Sequence, residues 1–450
     1  MTLGVVRRLM LTGVILALPV VAFAQEAVLS GAVTDSTGGV LPGVTIRAVH
    51  EASGNNFEGV TDGRGVYRIP VRVGVYQIKA EISGFNAIAR SGVEVLVGQT
   101  AVVNLQMTAA GVAESVTVTG QSPLLDTKTS SLSGNIDSRQ VQDLPVNGRN
   151  WISLSLLAPG SLTNPAATGV ASQIPLPDRN GGEAREFQLN VDGQQVSADI
   201  GTGGQPKYSQ DSIAEFQYVS NRFDATMGRS TGVQVNAITK SGTNQFRGLF
   251  RGNFRNSRFN AENPVLLRVE PIDNQQLSTT FGGPLVKDKL HFFGNYEYER
   301  EPRTSIWNTP YPSFNVSLTG INNQKKGGGR VDYQVSPRTR VMGKISHGSI
   351  FEPFGVGNQS HPAATGTNEE YNDEYLGQLT WVLSNRALNE IRVGRAVFGL
   401  ANQNLTTMVA SLAGGEWHRD RVASYHVYGF LDCRQPVLSA APGSVGLECA

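Results

Sequence analysis

The sequence predicts a mainly β protein in three unlike parts: a small β-sandwich, a small mixed α/β unit, and part of an antiparallel transmembrane β-barrel. Three observations predict it. Tyr76, Ile78, Ala80 and Ile82 alternate strictly with Gln77, Lys79 and Glu81, so one face is buried and the other wet. Glycine supplies 51 of 450 residues, well above the usual ~7%, which favours turn-rich β architecture. Over 246–255, Phe246, Gly248, Phe250, Gly252 and Phe254 alternate with Arg247, Leu249, Arg251, Asn253 and Arg255. A soluble sandwich would hide that aromatic face; a membrane barrel turns it to lipid and keeps the polar face in its lumen.

The totals narrow the class. Lys and Arg number 38 against 37 Asp and Glu, so no net field draws nucleic acid to the chain. A hydrophobic content of 40% with mean hydropathy −0.18 excludes a bundle of membrane helices. It does not exclude a barrel, because lumen-facing residues dilute each strand. The continuous apolar segment, 9–24, follows Arg7-Arg8 and ends Val21-Ala22-Phe23-Ala24 before Gln25. A basic start, an apolar core and small residues at −3 (Ala22) and −1 (Ala24) predict a signal peptide over 1–24, cleaved before Gln25. A spanning helix would need about 20 residues. Cys433 and Cys449 both lie near the end, so the body before them uses no disulfide even where export permits one.

Residues 26–107 read as the sandwich. The runs 28–34, 44–49, 66–70, 75–82, 93–97 and 101–107 are β-type, with Pro42-Gly43, Asp62-Gly63-Arg64-Gly65 and Ser83-Gly84 among the turns between them. Residues 108–135 are a polar linker containing one β-prone heptapeptide, Glu114-Ser115-Val116-Thr117-Val118-Thr119-Gly120. Such a segment can add as a strand to another protein's sheet edge. In 136–244, a short helix is expected to begin near Ser138 and close at Asp143-Leu144-Pro145. Phe187, Leu189 and Val191 then alternate up to an Asp192-Gly193 turn. Barrel strands are expected over 246–255, 276–281, 290–299, 330–335, 340–349, 374–383 and 387–397. The polar stretches 302–327 and 352–373 read as extracellular loops, and 336–338 and 384–386 as short periplasmic turns.

Two resemblances attach to these residues. SGAVTDSTGGVLPGVTI (30–46) and TDGRGVYRIPV (61–71) resemble the carboxypeptidase-regulatory-like domain, which implies a prealbumin-like sandwich of the carbohydrate-binding-like class. A bound saccharide would follow that analogy, although Tyr67 and Tyr76 alternate like core residues. SIAEFQ (212–217), MGRSTG (227–232), NAITKSGTNQFRG (236–248) and FGGPLVKDKLHFFGNYEYER (281–300) resemble TonB-dependent outer-membrane receptors of the Oar-like branch. DLPVNGRNW (143–151) and LLAPG (156–160) resemble the start of their plug domain. The resemblance implies that 136–244 is a plug and that 245–400 are the first strands of the barrel. It also implies that Glu114 to Gly120 is a TonB box, pairing with the energy-transducing TonB complex. Function would be TonB-coupled uptake of a solute through a barrel in outer-membrane lipid.

The remaining residues, 401–450, lack clean alternation and gather both cysteines. A plugged barrel takes about 22 strands, and 206 positions follow Asn244. The expectation is a short barrel, from a truncation or a frame change between 401 and 416. Two other outcomes stand beside transport: an exported binding module made of sandwich and plug, or a non-functional remnant.

No enzyme is expected. Gly228-Arg229-Ser230-Thr231-Gly232 spells a nucleophile elbow, but a strand rather than a helix follows it. His418, His426, Cys433 and Cys449 lack the short spacings of a zinc site, so no metal or other cofactor is predicted. Gly327-Gly328-Gly329 lacks the lysine and hydroxyl of a phosphate loop. Arg247, Arg251, Arg255 and Arg258 alternate with aromatics and read as lumen lining and loop rather than a nucleic-acid surface.

Overall fold

A computed structural model describes residues 27–110, 117–119, 132–146, 149–158, 187–196, 208–221, 233–262, 267–269, 272–307, 310, 316–353, 366–384, 387–404 and 421–428. The first unit is built from β1 (Ala27–Asp35), β2 (Thr45–His50), β3 (Asn56–Val60), β4 (Val66–Val71), β5 (Gly74–Glu81), β6 (Ile88–Val95), β7 (Thr100–Val102) and β8 (Leu105–Met107). A ninth strand, β9 (Thr117–Thr119), joins from the linker. One sheet gathers β4, β7 and β8 around β1, and the other runs β3-β2-β5-β6-β9. Between them lie Leu29, Ile46, Ile69, Ile78, Tyr67 and Tyr76, none more than 2% exposed. Each such side chain contributes about 1.5–3 kcal/mol by leaving water.

Tyr67 donates its hydroxyl to the Val103 carbonyl and Tyr76 to that of Arg72, both at 2.7 Å. The two tyrosines considered for a sugar are therefore core residues. Alternation does not announce β3, whose fourth residue is a glycine. A Cβ on Gly59 would sit 2.7 Å from the Ile69 side chain, so only glycine lets the layers approach there.

The second unit holds β10 (Leu132–Ile136), α1 (Ser138–Asp143), a 3-10 turn at Trp151–Leu157, β11 (Phe187–Val191), β12 (Gln194–Gln195), a second 3-10 turn at Gln210–Ser212, β13 (Ile213–Asn221) and β14 (Val233–Thr239). Its sheet runs β10-β13-β14-β11-β12, with β11 and β14 parallel. α1 begins where expected because Asp137 caps it: its carboxylate accepts the Arg139 and Gln140 amides, and the Gln140 side chain accepts the Asp137 amide. Trp151 packs edge-on against Phe216, 5.1 Å between centroids, and Leu189, Val191, Ile213, Val233 and Val235 complete a separate core.

The third part is one antiparallel sheet in sequence order: β15 (Arg247–Asn256), β16 (Asp273–Val286), β17 (Leu290–Trp307), β18 (Val316–Ser336), β19 (Thr339–Glu352), β20 (Gly366–Ser384), β21 (Ala387–Asn404) and β22 (Arg421–Tyr428). Among the described residues it does not close, since β15 and β22 each pair on one side. Its two faces follow the alternation. Phe246, Phe250 and Phe254 are 64–76% exposed on the outer face, joined by Phe281, Tyr296, Ile345, Tyr375 and Trp381. Glu297, Lys326, Arg330, Lys344, Glu374 and Arg392 are buried on the inner face.

The strands are longer than expected. β17 and β18 carry paired strand through most of 302–327, and β20 begins at Gly366, inside the second stretch read as loop. A bilayer needs only about 9–11 residues per strand. Beyond it both faces meet water, so the ladder continues without alternation to reveal it. For the same reason β21 runs to Asn404; β22 pairs with Arg392–Gly399 of β21, in the segment where the pattern fades.

A clean test of the sandwich is Gly31→Ala. The added Cβ would lie 1.9 Å from the Val103 carbonyl oxygen, inside the path of the chain leaving β7. Overpacking of this kind is expected to cost about 3 kcal/mol. Chemical denaturation of residues 26–110 followed by circular dichroism would register it as a lowered midpoint.

Candidate functional site

Everything inside the wall converges on a hairpin turn. β11 and β12 are joined by Asp192 and Gly193 alone, with φ of 51° and 79°. A two-residue turn of this twist needs positive φ at both positions, which aspartate tolerates and glycine adopts freely. The turn points the Asp192 carboxylate back at β14, where it accepts the Thr239 amide at 3.0 Å and the Thr239 hydroxyl at 2.8 Å. From the wall, Arg330 of β18 reaches the same carboxylate at 2.8 Å and Lys344 of β19 at 3.1 Å. Arg330 is held in turn by both oxygens of Asp332, 2.9 Å each. A Cβ on Gly193 would fall 2.5 Å from the Arg392 guanidinium, so glycine also lets the turn press against β21.

Burial alone would raise the Asp192 pKa. Lys344 and Arg330 outweigh it, together with the Thr239 hydrogen bonds, and bring it down to about 2. The carboxylate is therefore ionised at any physiological pH and bound on both sides. It ties plug to wall.

Around this centre runs a second set of contacts. Tyr208 donates to Glu374 of β20 and accepts from Lys344 at 3.2 Å. Ser209 donates to Glu297 of β17 at 2.5 Å, and Lys326 pairs with Glu297 at 2.9 Å. Asp211 pairs with Arg149 at 2.6 Å and lies 3.7 Å from Arg251. Chemically this is a wall of fixed charges matched by plug hydroxyls and carboxylates. It holds a domain in place by contacts that can break singly.

A third group of contacts joins the sandwich to the end of the wall that has short connections. There the Asn55 amide donates to the Asp288 carbonyl and the Asn244 amide to that of Ala52, both at 2.9 Å. Arg72 lies 3.4 Å from Asp332, both buried, and Arg340 sits 5.9 Å over the Phe57 ring. On the plug, the Val97 amide donates to Glu215 at 2.5 Å and Asn135 donates to the Val97 carbonyl at 3.2 Å. Burial pushes the Glu215 pKa up to about 8, opposed by the Val97 bond and helped by Glu94 and Asp137.

Of the residues expected to pair with a partner, Thr117, Val118 and Thr119 form β9, lying parallel to Ala89, Arg90 and Ser91 of β6. Glu114, Ser115, Val116 and Gly120 fall outside the described residues, as do Ala22, Ala24 and Gln25 of the cleavage site. So do 228–232, His418, Cys433 and Cys449, while His426 lies on β22. Of the four arginines read as lumen and loop, Arg251 faces inward to Asp211 and Arg258 sits in the 3-10 turn Ser257–Phe259. Sequence reading found Asp192-Gly193 as a turn but not its charge partners. The signal was present: Lys326, Arg330 and Lys344 all occupy the inner register of strands whose other face is apolar.

Two family models match parts of the chain. Residues 28–108 match the carboxypeptidase regulatory-like domain, and 238–313 match an outer membrane beta barrel domain. The latter assigns the apolar outer face to the outer membrane. The chain is similar to the TonB-dependent transporter Oar of Myxococcus xanthus, 28% identical over 297 residues. That covers 61% of this chain and 27% of the relative, so the chain spans about a quarter of the length of that protein. Among solved structures, the outer membrane transporter YddB of Escherichia coli aligns with a TM-score of 0.44 at 12% identity, covering 60% of this chain and 39% of that one. The siderophore receptor PirA of Pseudomonas aeruginosa aligns at 0.41 and 16%, covering 62% and 42%.

Asp192→Asn should loosen the plug strongly, because it removes the carboxylate that Lys344 pairs with and one of the two that Arg330 pairs with, at a cost of about 3–5 kcal/mol. The pH dependence has a definite sign. A carboxyl depressed from 3.8 to about 2 contributes its stability above its unfolded pKa and loses it as pH falls through about 2. The stability lost in Asp192→Asn, measured by urea denaturation against the wild type, should therefore be the same at pH 8 and at pH 5.

Proposed function

We propose that the chain is the N-terminal part of a TonB-dependent outer-membrane receptor that takes up a solute by energy-coupled rearrangement of its plug. The observation that carries this reading is the Asp192 contact. A separately folded α/β unit is seated against the polar face of a membrane sheet through a few charged bonds. The similarity to the Oar transporter supports it.

In this reading the Glu114 to Gly120 segment pairs with TonB as an added strand. Tension on it reaches the plug through β10, the first strand after the linker. The charged contacts to β17, β18, β19 and β20 then break in turn, and the solute passes between plug and wall. Each such bond contributes ~0.5–3 kcal/mol net, so sequential rupture needs far less force than unfolding either core. The chemistry is transport, with no covalent step assigned to any side chain of the plug.

The partner segment is tested directly by Val116→Pro. Proline removes a backbone donor and should abolish strand addition. In pull-downs with the periplasmic domain of TonB, capture should fall by about tenfold or more, which corresponds to roughly 1.4 kcal/mol. Equal capture of both proteins would remove the segment from this role.

A further inference from the structure

We propose that the sandwich is a releasable lid over the periplasmic face of the plug and wall, which must lift before a solute can leave. This rests on the transport reading above. The orientation comes from the connections. β16–β17, β18–β19 and β20–β21 are joined by two or three residues, whereas the opposite end carries the longer ones. In outer-membrane barrels the short turns are periplasmic.

Among the described residues, the sandwich meets the wall at that end. Asn55 meets Asp288 in the β16–β17 turn, Glu58 lies 4.0 Å from Arg338 in the β18–β19 turn, and Arg72 reaches Asp332 near the foot of β18. Val97 bridges two plug strands at once, through Glu215 of β13 and Asn135 of β10. Gly98 beside it carries φ of 68°, and a Cβ there would lie 2.4 Å from the Gln217 side chain. The lid thus touches the plug sheet itself, not only its rim.

The character of these contacts is what makes the lid releasable. The sandwich core and the plug core are distinct clusters with no residue in common. Among the described residues, hydrogen bonds, ion pairs and an arginine over a ring join the units, contacts of the kind a reversible domain interface uses. One contact is weak by construction. The Glu215 carboxyl is buried against the Val97 amide with two other acids nearby, Glu94 on β6 and Asp137 at the cap of α1.

Its effect has a sign. A carboxyl raised from 4.5 to about 8 favours docking fully below its undocked pKa, and that contribution is lost as pH rises to about 8. The partner segment is placed to exploit this. β9 is bonded to β6, and β6 ends two residues before Val97. Tension on the segment therefore loads the Val97–Glu215 contact before it loads the plug.

The test is amide hydrogen exchange by mass spectrometry on the full chain in outer-membrane vesicles. After correction for intrinsic chemistry, peptides around Ala52 and Asn55, around Val97 and across Ile213 to Gln217 should exchange about tenfold faster at pH 8.5 than at pH 6. The core strands β1 and β5 should stay protected. Glu215→Gln should remove the pH dependence, and an Ala52→Cys/Asn244→Cys disulfide should remove the faster exchange until reductant is added. Unchanged exchange at the interface overturns the lid, and so does loss of protection in β1 and β5 alongside it, since that is unfolding rather than release.

Adding the periplasmic domain of TonB separates the two readings. If it binds and the interface stays protected in reduced protein, the lid is wrong. If it fails to bind while the pH response persists, the TonB-coupled transport reading fails, and only the release of the sandwich from plug and wall stands.

Discussion

A single buried carboxylate constrains the interior of this protein. Asp192 could not be left inside the wall unpaired, because isolated charge in such a medium is expensive. Its partners arrive from both sides, Thr239 from its own sheet and Arg330 and Lys344 from the wall. That fixes the depth of the β11–β12 hairpin and the register of β18 against β19. The positive φ at Asp192 is strain the turn accepts because the bonds it makes over-determine it. Gly193 has no freedom to vary, with Arg392 occupying the space a side chain would need.

The wall answers a second constraint, that one sheet must satisfy two solvents. Its outer residues are apolar or glycine through the bilayer, and its inner residues are charged. Charged inner faces in a narrow space require matching groups, and the plug supplies them at Tyr208, Ser209, Asp211 and Asp192. Plug and wall are therefore one electrostatic design even though their cores are separate. Near the short turns, Phe246, Phe281 and Phe292 pack together on the outer face with centroids 5.7–6.4 Å apart. Aromatic rings of this kind suit the level of the lipid headgroups.

What could be read from the sequence follows the same physics. The sandwich, the end of α1 and the membrane-spanning parts of the wall were legible because burial on one face writes a period of two, and a residue before proline marks where a helix stops. The outer thirds of β17, β18 and β20 were not, since a strand in water on both faces has no pattern to show. β3 was hidden by Gly59, a residue chosen for close approach rather than for β preference. The charged contacts were half legible. Period two tells which side Lys326, Arg330 and Lys344 face, but a pairing between Asp192 and Arg330, 138 positions apart, is set by tertiary register alone.

The distribution of strength across these interfaces bears on how such a molecule can move. Within each unit, fully buried side chains such as Leu29, Ile78, Phe216 and Leu189 are each worth about 1.5–3 kcal/mol. Between units the contacts are polar, each nearer ~1 kcal/mol net unless a charge is stranded. A load applied anywhere along the linker therefore separates units before it unfolds them. The exception is the Asp192 cluster, where losing one partner strands a charge. It is the last bond expected to yield, and its place on a hairpin tip lets it yield without disturbing β13 and β14. Weak polar contacts at the sandwich, intermediate ones along Tyr208 to Asp211 and a strong one at Asp192 form an ordered series. Order in rupture comes from this gradient, with no need for a dedicated hinge.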